Sequence, residues 1–251
     1  MGQSGLGLYN DAFFAGREET ATRSASVVVP FVLGMVASVR SVVDVGCGTG
    51  SWLAEFGRCG VPVIKGYDGG PPDLSQLQIP AGCFERTNLA DPPAVAMRYD
   101  LAICLEVGEH LPAHSAPRLI KFLTELSDII LFSAALPGQG GVGHINEQPL
   151  SYWRALFAQY GYVICDEIRP QVWNDGRIAY WYRQNIVLAV RLGTPVASSF
   201  RAMGDRDLVD VVHPELLAQL RMRKQKRKAR RLGLAASRVG RTIRTALGFR
   251  N

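Results

Sequence analysis

The ten residues SVVDVGCGTG, numbers 41–50, decide the fold of this chain. Three valines around Asp44 predict a short buried β-strand, and Gly46, Gly48 and Gly50 predict a tight turn that leads into a helix. Because glycine has no Cβ, the backbone of such a turn can approach a bound ligand closely. An acid at the end of the strand suits an ammonium group better than a pyrophosphate. The stretch therefore predicts a strand, a ligand-binding turn and a helix.

Apolar segments that resemble buried strands alternate with segments of helical period on both sides of this unit. The predicted strands are Ser41–Val45, Pro62–Tyr67, Cys83–Thr87, Leu101–Leu105, Ile129–Ser133, Tyr162–Glu167 and Asn185–Val190. The predicted helices are Ala21–Ala37, Ser51–Cys59, Ala116–Leu126 and Leu150–Tyr160. Alternating elements of these lengths imply a mostly parallel sheet that is covered by helices on both faces.

The last two predicted strands are separated by a loop that contains Pro170, Asn174 and Gly176. We therefore expect them to form an antiparallel hairpin at one edge of the sheet. The predicted fold class is α/β, with a Rossmann-like, mostly parallel seven-stranded sheet, a C-terminal antiparallel hairpin and a basic C-terminal tail.

Composition and charge divide the chain into three parts. Residues 1–40 are expected to form an N-terminal helical cap, residues 41–192 the main domain, and residues 193–251 a linker at Gly193–Ser199 followed by a tail. From residue 221 onward there are twelve Arg or Lys and no acids. The net charge of +6 therefore hides an acidic globule of about −6 that carries a strongly basic tail.

The overall composition indicates a folded cytoplasmic protein. Apolar residues make up 47% of the 251 residues, which is enough for a sizeable core. The longest apolar stretch, residues 27–39, is too short for a transmembrane helix, and the first residues lack a signal sequence. The five scattered cysteines include no CxxC pair, which favours a reducing compartment over a disulfide scaffold or a zinc knuckle.

Two further strand ends carry polar residues that suit a nucleoside. In a parallel sheet, ligands bind outside the carboxyl ends of the strands. Asp68 ends the second strand, where a ribose diol would lie, and Asn88 with Leu89 follows the third strand, where an adenine would lie.

The D-x-G-x-G-x-G pattern, together with these strand ends, resembles class I S-adenosylmethionine-dependent methyltransferases over roughly residues 41–190. The resemblance implies that S-adenosylmethionine is the cofactor. Its methionine part would be held by Asp44, Gly46, Gly48 and Gly50, its ribose by Asp68, and its adenine by Asn88 and Leu89. A turn that only packs a strand against a helix, or one that binds a dinucleotide, is the alternative that the glycines alone leave open.

A second cluster follows strands four and five. Glu106, Glu109 and His110 have the i, i+3, i+4 spacing of one helical face, if a helical turn begins at the strand end. His144 lies in the glycine-rich loop after the fifth strand, which is adjacent in this topology. Two carboxylates and two imidazoles suit a divalent cation such as Mg²⁺, Mn²⁺ or Zn²⁺.

The E-x-x-E-H…H pattern resembles metal-dependent small-RNA 3′-terminal 2′-O-methyltransferases, and its first part resembles ubiquinone-pathway O-methyltransferases. The resemblance implies that Glu106, Glu109, His110 and His144 hold a divalent cation, Mg²⁺ or Mn²⁺, beside a diol. In a metal-free alternative, Glu106 contacts the donor and His144 acts as the general base. In both cases His144 and Glu106 are the predicted catalytic residues.

The predicted function is transfer of a methyl group from S-adenosylmethionine to a hydroxyl of a sugar or a small polyhydroxylated metabolite. RNA ribose 2′-O-methylation, which the basic tail favours, and a non-catalytic donor-binding assembly protein are the alternatives. The tail is expected to contact an anionic membrane surface or a nucleic acid, or to be a solvated tail without a partner.

Overall fold

The computed structural model describes residues 11–70, 74–204, 207 and 209–228, with side chains from residue 18 onward. The chain divides into two compact units, one that ends at Val211 and one that begins at Val212. Residues 1–10 and 229–251, which contain the start of the predicted cap and most of the predicted tail, lie outside the described residues.

The first unit is built on a seven-stranded sheet, and the predicted fold class is confirmed. The strands are β1 (Ser41–Val45), β2 (Val63–Asp68), β3 (Phe84–Arg86), β4 (Leu101–Leu105), β5 (Ile129–Ser133), β6 (Tyr162–Cys165) and β7 (Val187–Arg191). Their order is β3-β2-β1-β4-β5-β7-β6. The first five strands pair in parallel, whereas β7 is antiparallel to both β5 and β6.

Helices cover both faces of the sheet because alternate strand residues point to opposite sides. The helices are α1 (Asp11–Met35), α2 (Ser51–Arg58), α3 (Ala116–Leu126), α4 (Leu150–Ala158), α5 (Arg169–Val172) and α6 (Tyr180–Asn185). Val42 belongs to a core with α1 and α2, whereas its neighbour Val43 belongs to a core with α3 and α4. Strands β1, β4, β5 and β7 are therefore buried on both faces, as their nearly continuous apolar sequence predicts, whereas β2 and β3 at the edge are partly exposed.

The connection between β6 and β7 differs from the loop that the sequence predicted. It contains the two short helices α5 and α6, and Asn185 ends α6 instead of beginning a strand. Pro170 lies in the first turn of α5, where its missing N–H costs nothing, so this proline begins a helix and does not interrupt one. The buried Arg169 stabilises this turn by an ion pair with Asp166.

The N-terminal and C-terminal boundaries also differ in detail from the prediction. Helix α1 begins at Asp11, ten residues before the predicted start, and Val28, Val29 and Val32 are fully buried in the core. The segment predicted as a linker contains a 3₁₀ turn, Pro195–Ser199, and the flanking Phe200 packs against the core.

The second unit contributes a helix over residues 214–228 among the described residues. Its residues 221–228 are all exposed, and six of the eight are Arg or Lys. None of the described helices combines the length and the hydrophobicity that crossing a bilayer requires. All five cysteines are free.

Candidate active site

The glycine-rich turn between β1 and α2 has the backbone geometry that only glycine accepts without strain. Gly46, Gly48 and Gly50 all have positive φ angles, of 91°, 55° and 87°. A Cβ on Gly46 would lie 2.2 Å from a methyl carbon of Val107, so this turn packs closely against the segment after β4. At Gly48 a Cβ would meet nothing within 4 Å, because this part of the turn faces open space.

That open space is a cavity of about 220 Å³ at the carboxyl ends of β1 and β4. The residues that line it are Glu18, Ala21, Asp44, Gly46, Cys47, Gly48, Thr49, Ser51, Trp52, Leu105, Glu106 and Tyr182. We call it the donor pocket. Its wall includes the edge-to-face pair of Trp52 and Tyr182, with ring centroids 5.2 Å apart. The indole Nε1 of Trp52 is buried and has no hydrogen-bond partner among the described residues.

Asp44 is a buried acid in the wall of this pocket. Its side chain is only 3% exposed, and burial, followed by repulsion from Asp68, raises the pKa of the Asp44 carboxyl well above its ordinary value. A buried carboxylate of this kind gains most from a cationic ligand, because a cation offsets its lost hydration. The predicted role of Asp44 toward an ammonium group fits this position.

Asp68 organises the turn. Its two carboxylate oxygens accept hydrogen bonds from the backbone N–H groups of Gly48 and Gly70, each at 2.8 Å. The structure thus places Asp68 directly beside the glycine-rich turn, at the strand end where its predicted ribose contact would lie.

The predicted adenine contacts lie farther along the same edge, outside the residues that line the donor pocket. Asn88 is exposed, and its side-chain oxygen accepts the backbone N–H of Ala90 at 3.1 Å. Leu89 is buried, and its side chain belongs to the core beneath α3. Only the backbone of Leu89 is therefore placed to contact a ligand.

Gln78 is a functional candidate that the sequence analysis missed. Its side-chain amide donates to Glu18 at 2.5 Å and to Ser51 at 2.9 Å, and its backbone N–H donates to Thr49 at 2.8 Å. Gln78 therefore connects α1, the glycine-rich turn and the first residue of α2 around the mouth of the donor pocket. It lies outside every strand end and motif, so no sequence signal indicates it.

Glu106 lines the donor pocket and precedes the predicted metal ligand Glu109 by three residues. Its φ of +56° is one of two positive values among the described non-glycine residues. The carboxylate accepts hydrogen bonds from the side-chain amides of Gln139 at 2.7 Å and Asn185 at 3.0 Å. Burial raises the pKa of Glu106, and these two hydrogen bonds partly offset that effect.

Three of the four predicted metal ligands come together, and Glu106 stands apart from them. One ligand atom from each of Glu109, His110 and His144 lies within 4.8 Å of the others. The helical turn after β4 is a 3₁₀ turn over Gly108–His110, so it begins two residues later than the predicted face requires. This offset leaves the Glu106 carboxylate with its amide partners, whereas Glu109 and His110 face His144.

The loop after β5 fixes the orientation of His144. Glu147 accepts the backbone N–H groups of Gly138 at 2.7 Å and Gly140 at 2.6 Å, and it contacts His144 Nδ1 at 3.0 Å. A proton on Nδ1 that is donated to Glu147 leaves a lone pair on Nε2. A Cβ on Gly141 would lie 2.1 Å from that Nε2, so only glycine lets the loop backbone pack this closely against the imidazole ring.

The same loop is anchored to the 3₁₀ turn by backbone hydrogen bonds. The N–H groups of Ile145 and Asn146 both donate to the carbonyl of Glu109, at 2.9 and 3.0 Å. The buried Asn146 side chain also donates to the carbonyl of Gly108 at 3.3 Å. These bonds hold His144 against Glu109 and His110, and no sequence pattern indicates the part played by Asn146.

We call Glu109, His110 and His144 the cation cluster, because their ligand atoms suit a cation. His144 Nε2 lies 4.0 Å from the fully buried carboxylate of Glu109, and the His144 ring lies edge-on to that of His110 with centroids 4.8 Å apart. A nitrogen lone pair and a carboxylate repel each other, so their approach is favourable only when a proton or a metal ion lies between them. Ligand atoms around one ion lie roughly 3–4 Å apart, which these side chains can reach.

Comparison with known families identifies the type of domain. Residues 18–159 match a family described as a methyltransferase domain. The match covers more than half of the chain, and it contains the glycine-rich turn, the donor pocket from Glu18 to Glu106, and the cation cluster.

Curated relatives match about half of this chain. Two strains of Neisseria meningitidis contain a ubiquinone biosynthesis O-methyltransferase that is 27% identical to this chain over 130 residues. That match covers 47% of this chain, which spans half of the length of these curated relatives.

Two solved structures share the fold at lower identity. Magnesium protoporphyrin IX methyltransferase from Synechocystis, solved with bound SAH, is 21% identical, with a TM-score of 0.50 over 74% of this chain and 90% of that chain. The SAM-bound amino pentose methyltransferase CalS10 from Micromonospora echinaspora is 14% identical, with a TM-score of 0.51 over 73% of this chain and 98% of that chain.

Proposed function

This chain belongs to the S-adenosylmethionine-dependent methyltransferases, and from that premise we propose that it methylates a hydroxyl with the help of a divalent cation. The proposed acceptor is a sugar or another small polyhydroxylated metabolite. The single observation that carries the proposal is that Glu109, His110 and His144 meet, with Glu109 and His110 following closely in sequence after Glu106, which lines the donor pocket.

The residues of the donor pocket supply binding and orientation. Asp44 pairs with the ammonium group of the donor, Gly48 leaves room for its methionine part, and Trp52 with Tyr182 provides an apolar wall. Catalysis of methyl transfer rests mainly on holding the hydroxyl oxygen in line with the methyl carbon and the sulfur. The oxygen then forms a bond to carbon as the carbon–sulfur bond breaks.

The residues of the cation cluster act on the hydroxyl. A divalent ion supplies Lewis acidity, which lowers the pKa of a hydroxyl bound to it. Glu109, His110 and His144 would hold this ion, and Glu147 would keep the His144 proton on Nδ1 so that Nε2 faces the ion. Without an ion, the same Nε2 is positioned to accept the hydroxyl proton as a general base.

The choice of acceptor is supported by charge and by the relatives. The globule without the basic tail carries about −6, whereas enzymes that act on nucleic acids usually surround the site with positive charge. CalS10 is described as an amino pentose methyltransferase, and the Neisseria relatives act in ubiquinone biosynthesis as O-methyltransferases. RNA ribose remains the alternative acceptor that the basic tail supports.

A turnover screen tests the proposal. Purified protein would be given S-adenosylmethionine with sugars, phenols or short RNA, each with EDTA or with Mg²⁺ or Mn²⁺, and product formation would be measured. We expect turnover of a polyhydroxylated small molecule that EDTA abolishes and Mg²⁺ or Mn²⁺ restores. Activity that EDTA does not affect would remove the cation from the mechanism, and activity on RNA alone would replace the proposed acceptor.

Metal binding can be measured without knowing the acceptor. Mn²⁺ titrated into the protein would be followed by calorimetry for the unchanged chain and for Glu109→Gln. The matched control is Glu125→Gln, because Glu125 lies on α3 in an exposed ion pair with Lys121. We expect Glu109→Gln to lose binding and Glu125→Gln to retain it; equal binding by all three would contradict the cluster as the site.

A further inference from the structure

The amide side chains around Glu106 form a buried hydrogen-bond network in which each amide donates toward the Glu106 carboxylate. Gln184 donates to the side-chain oxygens of both Gln139 and Asn185, at 3.2 and 3.0 Å. Gln139 and Asn185 in turn donate to the two carboxylate oxygens of Glu106. All three amide residues are at least 95% buried, and they come from the loop after β5 and the end of α6.

The direction of this network supports the ionised form of Glu106. Both carboxylate oxygens act as acceptors, and an ionised carboxylate is an acceptor only. The backbone adds to the constraint, since the Glu106 N–H donates to Ser133 while φ is +56°. Strained non-glycine residues of this kind persist only where the surroundings hold them in place. The structure therefore holds this carboxylate, with both of its oxygens accepting hydrogen bonds, at one point of the donor-pocket wall.

The Glu106 carboxylate is one of several acids that could pair with a positive centre of the donor. S-adenosylmethionine carries two positive centres, the ammonium group and the sulfonium, and the methyl group must point from the sulfonium toward the acceptor. The pocket is lined by three acids: Asp44 at the glycine-rich turn, Glu18 on α1 and tied to Gln78, and Glu106. Of these, Glu106 alone lies on the segment that continues into the 3₁₀ turn of the cation cluster.

We propose that Glu106, positioned by Gln139, Gln184 and Asn185, distinguishes the methyl donor from its product by pairing with the sulfonium charge. During transfer the hydroxyl oxygen forms a bond to the methyl carbon as the carbon–sulfur bond breaks, sulfur keeps the electron pair, and the sulfonium becomes a neutral thioether. The hydroxyl proton passes to His144 Nε2 or to solvent. The ammonium group is unchanged. The product therefore keeps its attraction to Asp44 and loses its attraction to Glu106, so it binds more weakly than the donor and leaves.

This inference concerns the donor site and does not depend on the acceptor or on the cation. It is tested by calorimetry with three ligands: S-adenosylmethionine, S-adenosylhomocysteine, and a stable analogue with an ammonium group in place of the sulfonium. The variant is Glu106→Gln, and the matched control is Asp44→Asn, which removes the other buried charge of the same pocket.

We expect Glu106→Gln to weaken the donor and the charged analogue roughly tenfold more than it weakens the neutral product. Asp44→Asn is expected to weaken all three ligands by a similar factor, because all three carry the ammonium group. A merely structural role of Glu106 would change the three affinities equally, and that result would overturn the proposal.

A second variant keeps the test decisive if Glu106→Gln does not fold. Glutamine at 106 sets an NH₂ group against an amide donor, so thermal unfolding of this variant is measured first. Gln139→Ala removes one of the two donors and leaves the charge in place. We expect Gln139→Ala to reduce the ratio of donor affinity to product affinity, but by less than Glu106→Gln reduces it. An unchanged ratio would also overturn the proposal.

Discussion

At the scale of single residues, Asp44 shows how function opposes stability. Its carboxyl is buried beside Asp68, in a pocket that is also lined by Glu18 and Glu106. Because its pKa in the folded protein is raised, the unfolded chain releases this proton at lower pH than the folded protein does. The stability contributed by the protonated group is present below about pH 4 and is lost as pH rises through the raised pKa.

Asp44→Asn should therefore stabilise the ligand-free protein and impair donor binding. We expect its melting temperature to equal that of the unchanged protein near pH 4 and to exceed it by about 2–4 °C at pH 7–8. Donor affinity should fall by roughly 30-fold or more. Scanning calorimetry across pH and titration calorimetry check both effects; a variant that is less stable at pH 8 would contradict the burial argument.

His144 should matter for turnover and not for donor binding. His144→Ala removes Nε2 from the cation cluster, and we expect turnover to fall by at least about 10²-fold with donor affinity nearly unchanged. The control is His114→Ala, because His114 is exposed in a neighbouring 3₁₀ turn. Steady-state rates and calorimetry separate the effects; loss of donor binding as well would indicate that His144 is a core residue.

At the scale of structural elements, the 3₁₀ turn after β4 depends on a close contact with α4. A Cβ on Gly108 would lie 2.5 Å from the indole ring of Trp153, which is 1% exposed and cannot move aside. The turn carries Glu109 and His110, so its position sets the geometry of the cation cluster.

Gly108→Ala is expected to destabilise the protein by about 1–3 kcal/mol through overpacking and to weaken Mn²⁺ binding. Gly57→Ala on α2 is the matched control, because a Cβ there meets nothing within 4 Å, and helix propensity favours alanine. Denaturant unfolding and metal titration check this. If the two variants have equal stability, the contact with Trp153 does not hold the turn.

The elements also show what sequence patterns can and cannot predict. β1, β4 and β5 have the predicted bounds because buried parallel strands are nearly continuous apolar runs. Helices α5 and α6 were missed because they span four and six residues, too few to show a helical period. The glycine-rich turn was predictable because its backbone requires glycine.

The candidate site was partly predictable from its position at the carboxyl ends of the strands. Asp44 lies near the end of β1, and Glu109, His110 and His144 follow β4 and β5, where chemistry is concentrated in this class of sheet. Gln78, Gln139, Gln184 and Asn185 act through contacts between residues distant in sequence, and no local pattern marks them. The separation of Glu106 from the cluster follows from a 3₁₀ turn, which spacing alone does not distinguish from an α-helical one.

At the scale of the whole molecule, charge is divided between an acidic globule and a basic C-terminal segment. The six cations of residues 221–228 lie on every side of the helix, so each side offers contacts to an anionic partner. Affinity of this kind depends steeply on salt because counterions are released on binding.

Deletion of residues 221–251 should separate donor binding from binding to an anionic partner. We expect donor affinity to stay unchanged, whereas affinity for an anionic partner, tested with short RNA and with anionic vesicles at about 50 and 200 mM salt, should fall strongly. Fluorescence anisotropy and vesicle sedimentation measure this. Undiminished binding to both by the shortened chain would show that the basic segment has no role in it.

The central claim is that a cation bound by Glu109, His110 and His144 lies beside the methyl group of the donor. It is tested most directly by nuclear magnetic resonance of S-adenosylmethionine labelled with ¹³C in its methyl group, bound to the protein with and without Mn²⁺. We predict strong paramagnetic broadening of the methyl signal that His144→Ala abolishes. A sharp methyl signal in protein that has both ligands bound would contradict the account.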